Sequence, residues 1–277
     1  MQAIAKTIWM IESRFGMPLS LDDLAQHAAL SRAHLSRRFA AETGISISAY
    51  IRGRRLSEAA RALAAGAPDI LAVALDVGYG SHEAFTRAFR DQFNATPEAV
   101  RLGGSLGGLT LVDPLPMDFA VAAQLGPPRI EQHQRMRVAG LLERHDLSRG
   151  NPIPAQWQRF SPYIGNIDGA VSRATYGLVG LSEGPFCDYM CAVEVGDGAE
   201  IPPELAIAEL PPARIARLGH RGHITSIRST IEAVYREWLP GSGEVQTDPS
   251  RFLEFYSSDF NNRTGLGTVE IWIGLKG

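Results

Sequence analysis

Apolar residues recur along this chain with two different periods, and the change of period divides it. From Ile4 to about Arg101 they return every three or four residues, the spacing of one helix face. IAKTIWMIESRF fits a first helix. SLDDLAQHAAL reads as a short second one: Ser20 caps it, Asp22 and Asp23 fill its first turn, and Leu21, Leu24, Ala25 and Ala28 form its stripe. PDILAVALDVGYG repeats that plan, with Asp69 as cap, Ile70, Val73, Ala74 and Val77 as stripe, and Gly78 suited to a turn of positive φ. Between the two lies AYIRGRRLSEAARALAAG, Ala-rich and helical in period, carrying Arg52, Arg54, Arg55 and Arg61.

The helix that follows each short one is written twice. LSRAHLSRRF and GSHEAFTRAF share a pattern in which Ser31 answers Ser81, Leu35 answers Phe85, Arg37 answers Arg87 and Phe39 answers Phe89. The serines suit caps, and the apolar pairs, four apart, face a core. Helix, tight turn and capped helix make a helix-turn-helix unit, so the chain holds two, joined by a linking helix. Arg32, Ala33, Ser36 and Arg37 in the first unit, and His82, Glu83 and Arg87 in the second, lie off the apolar stripe. There they could face the major groove, where Arg reads guanine with two hydrogen bonds. The plainer alternative is two ordinary amphipathic helices with solvated arginines. Charge leans toward DNA: residues 1–102 carry 12 Lys/Arg against 10 Asp/Glu, and residues 103–277 carry 15 against 20.

Beyond Arg101 the period is lost in LGGSLGGLTLVDPLPMDFAVAAQLGPP, whose glycines and prolines read as a linker over residues 103–127 with room for one short strand. A fragment of residues 1–102 is therefore expected to fold alone. From residue 128 the period is two, broken by two helical stretches. QRMRVAGLL, ATYGLVGL and FCDYMCAVEV are strands around a helix over residues 155–167. ARIARLGHRG, RFLEFYS and TVEIWIGL are strands around a helix over residues 224–239. This is a duplicated β-α-β-β plan, α+β in class, with helices on one face of an antiparallel sheet. In RFLEFYS, Glu254 shares a face with Phe252 and Tyr256; in TVEIWIGL, Glu270 shares one with Trp272. A carboxylate beside rings is costly unless paired, and a cation stacked on the rings would pair it. A solvated face, or an ion pair to a protein arginine such as Arg217, would explain the same pattern.

Other chemistry is thin. No apolar run approaches the ~20 residues of a membrane span. The N-terminus lacks a signal-peptide pattern, and two cysteines in 277 residues build no disulfide framework, so a cytoplasmic protein is expected. Cys187, Cys191, His220 and His223 offer metal-ligand types, but at strand spacing; no metal and no cofactor is expected. The common nucleotide and hydrolase motifs are missing.

Two family resemblances sharpen this. LSLDDLA, SRAHLSRRF, YIRGRRLSEA, ALDVGYGSHEAFTRAFR and TPEAVR resemble the DNA-binding domain of AraC/XylS regulators over about residues 3–101. Ala29 stands where a turn glycine is frequent, and Ala33 offers little to a base edge. RVAGLLERHDL, TYGLVGLSEGPFCDYMCAVEV, ELPPARIARLGHRGHI, VYREWLPGSG, FLEFYSSDF and VEIWIGL resemble the GyrI-like small-molecule-binding domain over about residues 128–277. Here Gly274 replaces a proline usual after the last strand, and the DNA domain comes first, reversing the common AraC order. The resemblance implies a cleft between two pseudo-symmetric units that binds a lipophilic, cationic or aromatic compound. It carries the buried Glu onto Glu254 first and Glu270 second, with Tyr163, Tyr176, Tyr189, Trp238, Tyr256 and Trp272 as wall residues. The implied partners are double-stranded DNA, a small-molecule effector and RNA polymerase, with no membrane, for a monomer or homodimer. Some GyrI-like proteins resemble hydrolases with an acting Tyr and Glu. Hydrolysis or sequestration of a drug-like compound is thus the alternative to sensing, and sensing without enzymatic turnover is expected.

Overall fold

In the computed structural model, which describes residues 2–117 and 125–277, seven helices come first. They are α1 (Gln2–Glu12), α2 (Leu21–His27), α3 (Arg32–Thr43), α4 (Ile47–Ala64), α5 (Ile70–Asp76), α6 (His82–Phe93) and α7 (Pro97–Gly103). They belong to one of two compact units, Met1–Pro116 and Met117–Gly277. The caps stand where the sequence puts them. Ser20 and Asp23 form a reciprocal capping box on α2, and the Ser31 and Ser81 hydroxyls accept from the amides of His34 and Ala84. Leu24, Leu35 and Phe39 are fully buried in the first helix-turn-helix, and Ala74, Phe85 and Phe89 in the second, with Val73 buried beside them. The two turns differ. Ala29 takes φ 53°, a left-handed backbone that a side chain strains, whereas the second turn uses Gly78 at φ 81°.

Three of the four α4 arginines hold this unit together rather than face solvent. Arg54 is the largest fully buried side chain: it forks onto the Glu12 carboxylate of α1 at 3.0 Å, reaches Glu58 at 3.1 Å and donates to the Val112 carbonyl at 2.8 Å. Arg55 donates to the carbonyls of Phe15, Met17 and Gly78, so the segment that follows α1 is tied to the second turn. Arg61 pairs with Glu58 and Asp113. The arginines therefore also fasten residues 112–115, where the Val112 amide donates to Ser57 and the Leu115 amide to Tyr50. Leu106, Leu109 and Leu111 pack on the second apolar core. Much of the stretch expected as linker is thus strapped to the helices. It forms no strand over residues 103–117, and residues 118–124 lie outside the described residues.

The second unit is an antiparallel sheet of eight strands: β1 (Arg129–His133), β2 (Met136–Asp146), β3 (Ala170–Leu181), β4 (Phe186–Val195), β5 (Ala206–Leu210), β6 (Ala213–His220), β7 (Arg251–Tyr256) and β8 (Val269–Leu275). Their order is β1-β6-β8-β7-β3-β4-β2-β5, so the two repeats meet at β3 and β7. β1 and β5 escape the period-two reading because they are sheet edges, β1 being exposed over most of its length. α8 (Ile153–Phe160) covers β2 and β4 and passes into a 3₁₀ turn, Ser161–Tyr163, at Pro162. The second helical stretch is continuous but mixed. After a 3₁₀ turn come α9 (Ile227–Ala233), a wide π turn (Val234–Trp238) and α10 (Leu239–Ser242). Its Val234, Tyr235 and Trp238 pack on Ala216, Leu218, Ile273 and Leu275. Register puts these residues on the face that α8 also covers. The sheet curls over its other face, where Met136, Tyr176, Met190, Leu253 and Trp272 form a separate core.

Candidate functional sites

In the helical unit, the residues expected to read DNA stand on one exposed side of α3 and one of α6. Arg32, Ala33, Arg37, His82, Glu83 and Arg87 are exposed, and Ser36 is half-buried. Arg32 is engaged by Asp22 at 2.9 Å, both side chains being well solvated. Arg37 and Arg87, one turn into their helices, have no ion-pair or hydrogen-bond partner among the described residues. Glu83 sits in the first turn of α6. Its own backbone amide, then the Ser81 hydroxyl, holds its carboxyl below the usual range. Sequence pattern did not single out Arg90, exposed one turn beyond Arg87 on the same helix.

In the sheet unit, Glu254 lies on β7 at the junction of the two repeats, on the helix-covered face and 6% exposed. Gly177 of β3 is its partner across the ladder. A Cβ there would stand 2.1 Å from the Tyr189 hydroxyl and 2.8 Å from Glu254 Oε2, so only glycine leaves room for both. Tyr189 and Tyr256 each donate a phenolic hydrogen to Oε2, at 2.6 and 2.8 Å. Trp157 of α8 donates its indole N–H to the Tyr189 oxygen at 3.1 Å and sets its ring 5.3 Å from Tyr256. No donor among the described residues reaches Oε1. Burial, then the negative Glu254, raises both phenols well above their ordinary value, so both stay protonated donors. Burial raises the Glu254 carboxyl too, and the two phenolic hydrogen bonds oppose it without cancelling it.

The positioning of Trp157 has a cause that sequence reading missed. Gln156, fully buried beside it, donates its amide to the carbonyls of Leu141 and Tyr189 and so pins α8 across β2 and β4. With both amide hydrogens spent, its oxygen accepts from His145 Nε2 at 2.7 Å. The signal was only an apolar helix stripe. A glutamine within it carried no mark.

The structure separates the two glutamates grouped above. Glu270 lies opposite Phe255 in the β7–β8 ladder, hence on the other face of the sheet from Glu254. There Arg217 binds it at 2.7 Å, Arg129 also pairs with it, and the Trp272 indole donates at 2.8 Å. Burial would raise this carboxyl, but Trp272, Arg217 and Arg129 outweigh it and hold it below the usual range. Arg217 also lies 4.5 Å from the Trp272 ring and 5.6 Å from Phe255. The cation stacked on rings beside a carboxylate is here the protein's own. Tyr176 shares that face, its hydroxyl donating to Glu194 at 3.3 Å. Tyr163 stacks on Phe160 and donates to Glu204, and Trp238 packs in the core beneath the π turn. Of the expected wall residues, Tyr189 and Tyr256 meet at Glu254. Trp157, Phe252 and Tyr235 stand on its face as well. Cys187 and Cys191 flank Tyr189 on β4, four strands from His220 in sheet order, and burial followed by the Glu254 charge pushes the Cys187 thiol up to about 11.

Comparison with known proteins gives each unit a counterpart. Residues 24–102 match a helix-turn-helix domain family, and residues 126–276 match the GyrI-like small molecule binding domain family. Over 127 residues the chain is 40% identical to the transcriptional regulator Rob of Salmonella typhimurium, covering 46% of this chain and 41% of Rob. It is 48% identical over 94 residues to the right origin-binding protein of Escherichia coli, covering 34% of this chain and 32% of that one. It is 34% identical over 105 residues to the multiple antibiotic resistance protein MarA of Escherichia coli, covering 38% of this chain and 83% of MarA. The chain thus spans less than half the length of the first two relatives.

Proposed function

We propose, for a chain that belongs to the GyrI-like small molecule binding family and carries an AraC-type helix-turn-helix domain, a transcription regulator that answers an effector bound at Glu254. The reading of DNA rests on the two capped helices with free, exposed Arg37 and Arg87. Each helix would enter the major groove, the two about one helical turn, ~34 Å, apart along one DNA face. RNA polymerase is the natural third partner of such a regulator, and two reading heads in one chain let a monomer bind.

One observation carries the effector reading. Both phenolic hydroxyls converge on one oxygen of Glu254, and the other receives no hydrogen bond from the described residues. The carboxylate is held in place by neutral donors, so no cation among the described residues compensates its charge. Aromatic rings stand around it: Tyr189, Tyr256, Trp157 and Phe252. A lipophilic cation stacked on those rings would supply the missing counter-charge, with cation–π attraction of ~0.5–2 kcal/mol per ring.

Glu254→Gln keeps the shape and removes the charge. It is expected to weaken a cationic aromatic probe by about tenfold or more, ~1.4 kcal/mol, and to leave a neutral analogue nearly unchanged. Equal loss for both would mean that Glu254 acts only through structure. Steady conversion of the probe to product, lost in Glu254→Gln, would replace sensing by the hydrolase reading, with the Tyr–Glu pair as its acting groups.

A further inference from the structure

The face that holds Glu254 continues along β7 to Phe252, and a second polar group stands at that end. Gln246 lies in the segment before β7, 5% exposed, with its backbone bridged to Leu275. Its Nε2 donates to the Arg251 carbonyl at 2.7 Å and to the Tyr235 hydroxyl at 3.2 Å. A carbonyl can only accept, so this contact fixes the amide: Nε2 faces Arg251 and Oε1 faces away. Oε1 is buried, and no described residue donates to it. The clasp on the turn uses the nitrogen alone. The oxygen receives no hydrogen bond from the described residues, and a buried unpaired carbonyl is unfavourable. Tyr235 belongs to the π turn and sets its ring edge-on to Phe252 at 6.2 Å. Gln246 is thus tied through Tyr235 and Phe252 to the strand face where Glu254 sits.

We infer that Gln246 Oε1 is a second recognition point for the effector, accepting from an N–H or O–H group on the ligand. This rests on the reading of Glu254 as the effector site, and it narrows the ligand class. Glu254 selects for positive charge, and Gln246 selects for a hydrogen-bond donor at the other end of the same aromatic framework. A cation whose nitrogens are fully alkylated meets the first requirement and fails the second. A primary or secondary arylamine cation meets both.

Crystal violet and pararosaniline separate these requirements. Both are triarylmethyl cations of the same charge; the first carries dimethylamino groups with no N–H, the second primary amines. Affinities of the full chain are measured by calorimetry, and the quantity read is the ratio of the crystal violet Kd to the pararosaniline Kd. Gln246→Met should lower that ratio about tenfold, through pararosaniline, with crystal violet held within about twofold. Glu254→Gln should weaken both dyes alike. An unchanged ratio in Gln246→Met, with both dyes weakened by Glu254→Gln, overturns the inference and leaves the site reading standing; it would mean that water satisfies Oε1. Binding of both dyes untouched by Glu254→Gln overturns the site reading and the inference with it. Should Gln246→Met fail to fold, Gln246→Asn, which keeps the amide and shortens its reach, carries the same comparison.

Discussion

Arg54→Met should destabilise the helical unit by about 3–5 kcal/mol, the cost of leaving a buried carboxylate without its cation. The figure follows from what remains. Arg54 and Glu12 are both fully buried, and the guanidinium contacts both Glu12 oxygens at 3.0–3.1 Å. Without it, Glu12 keeps the Tyr50 hydroxyl at 2.6 Å, while the Val112 carbonyl loses its donor. Glu58 is spared, because Arg61 still pairs with it at 2.7 Å. A domain of this size is stable by about 5–15 kcal/mol, so roughly a fifth or more of the total is at stake. Urea unfolding of a residues 1–116 fragment, followed by helical circular dichroism, reads the loss as a lower midpoint at constant slope. Glu12→Leu with Arg54→Met should recover most of it, since a buried pair contributes little net stability over apolar residues of similar volume. The same fragment cut at residue 102 loses the strap contacts to Arg54, Ser57 and Tyr50 and should melt lower than residues 1–116. A cost below about 1 kcal/mol for Arg54→Met would mean that water reaches the pair. Equal midpoints for the two fragments would return the boundary to residue 102.

Arg37→Ala and Arg87→Ala should each cost about 1–3 kcal/mol on a specific DNA site and relax selectivity at different bases, read by binding to a panel of single-base variants. Uniform weakening across the panel would make them phosphate contacts. Ala29→Gly should stabilise the helical unit by about 0.5–1 kcal/mol, read as a higher urea midpoint, because it relieves a left-handed φ of 53°, offset in part by the freer unfolded chain; a lower midpoint would show that the turn is unstrained. Cation binding should strengthen with pH through a midpoint above the ordinary Glu value, since burial raises the Glu254 carboxyl and a cation binds its ionised form. Below that midpoint affinity should fall about tenfold per pH unit, and a flat profile, identical in Glu254→Gln, would exclude Glu254 as the charge. The sign reverses for the free protein. A raised folded pKa stabilises at pH below the unfolded value, and that stabilisation is lost as pH rises through the folded one.

The helical unit was legible because its signals are local. A cap at Ser31 or Ser81, an apolar pair four residues on and a glycine at Gly78 are each complete within one turn of chain. The fate of Arg54, Arg55 and Arg61 was not legible. Their partners Glu12, Phe15 and Asp113 lie 42, 40 and 52 residues away, and an arginine on an amphipathic helix carries no mark of whether it faces solvent or a buried carboxylate. The edges β1 and β5 were missed for a different reason: β1 is exposed along most of its length, so no apolar face marks it, and β5 is only five residues long. Gly177 acts through Tyr189 and Glu254 on neighbouring strands, Gln246 acts through Tyr235 of the π turn and the Arg251 carbonyl, and neither belongs to a pattern.

Strand alternation put a carboxylate beside aromatic rings at both Glu254 and Glu270, and the structure gives the two different surroundings. Alternation states which residues of one strand share a face, and both statements were right. It cannot state how two strands are registered, because that depends on the connection between them. Pairing of Phe255 with Glu270 puts the two carboxylates on opposite sides of the sheet. What then distinguishes them is the kind of donor each receives. Glu270 is met by two guanidinium groups, so a third cation would have to displace one that is already in place at high effective concentration. Glu254 is met by phenolic hydroxyls, which fix its geometry and leave its charge unmatched. Under the effector reading proposed above, the carboxylate held by neutral donors is therefore the one expected to take a cationic ligand.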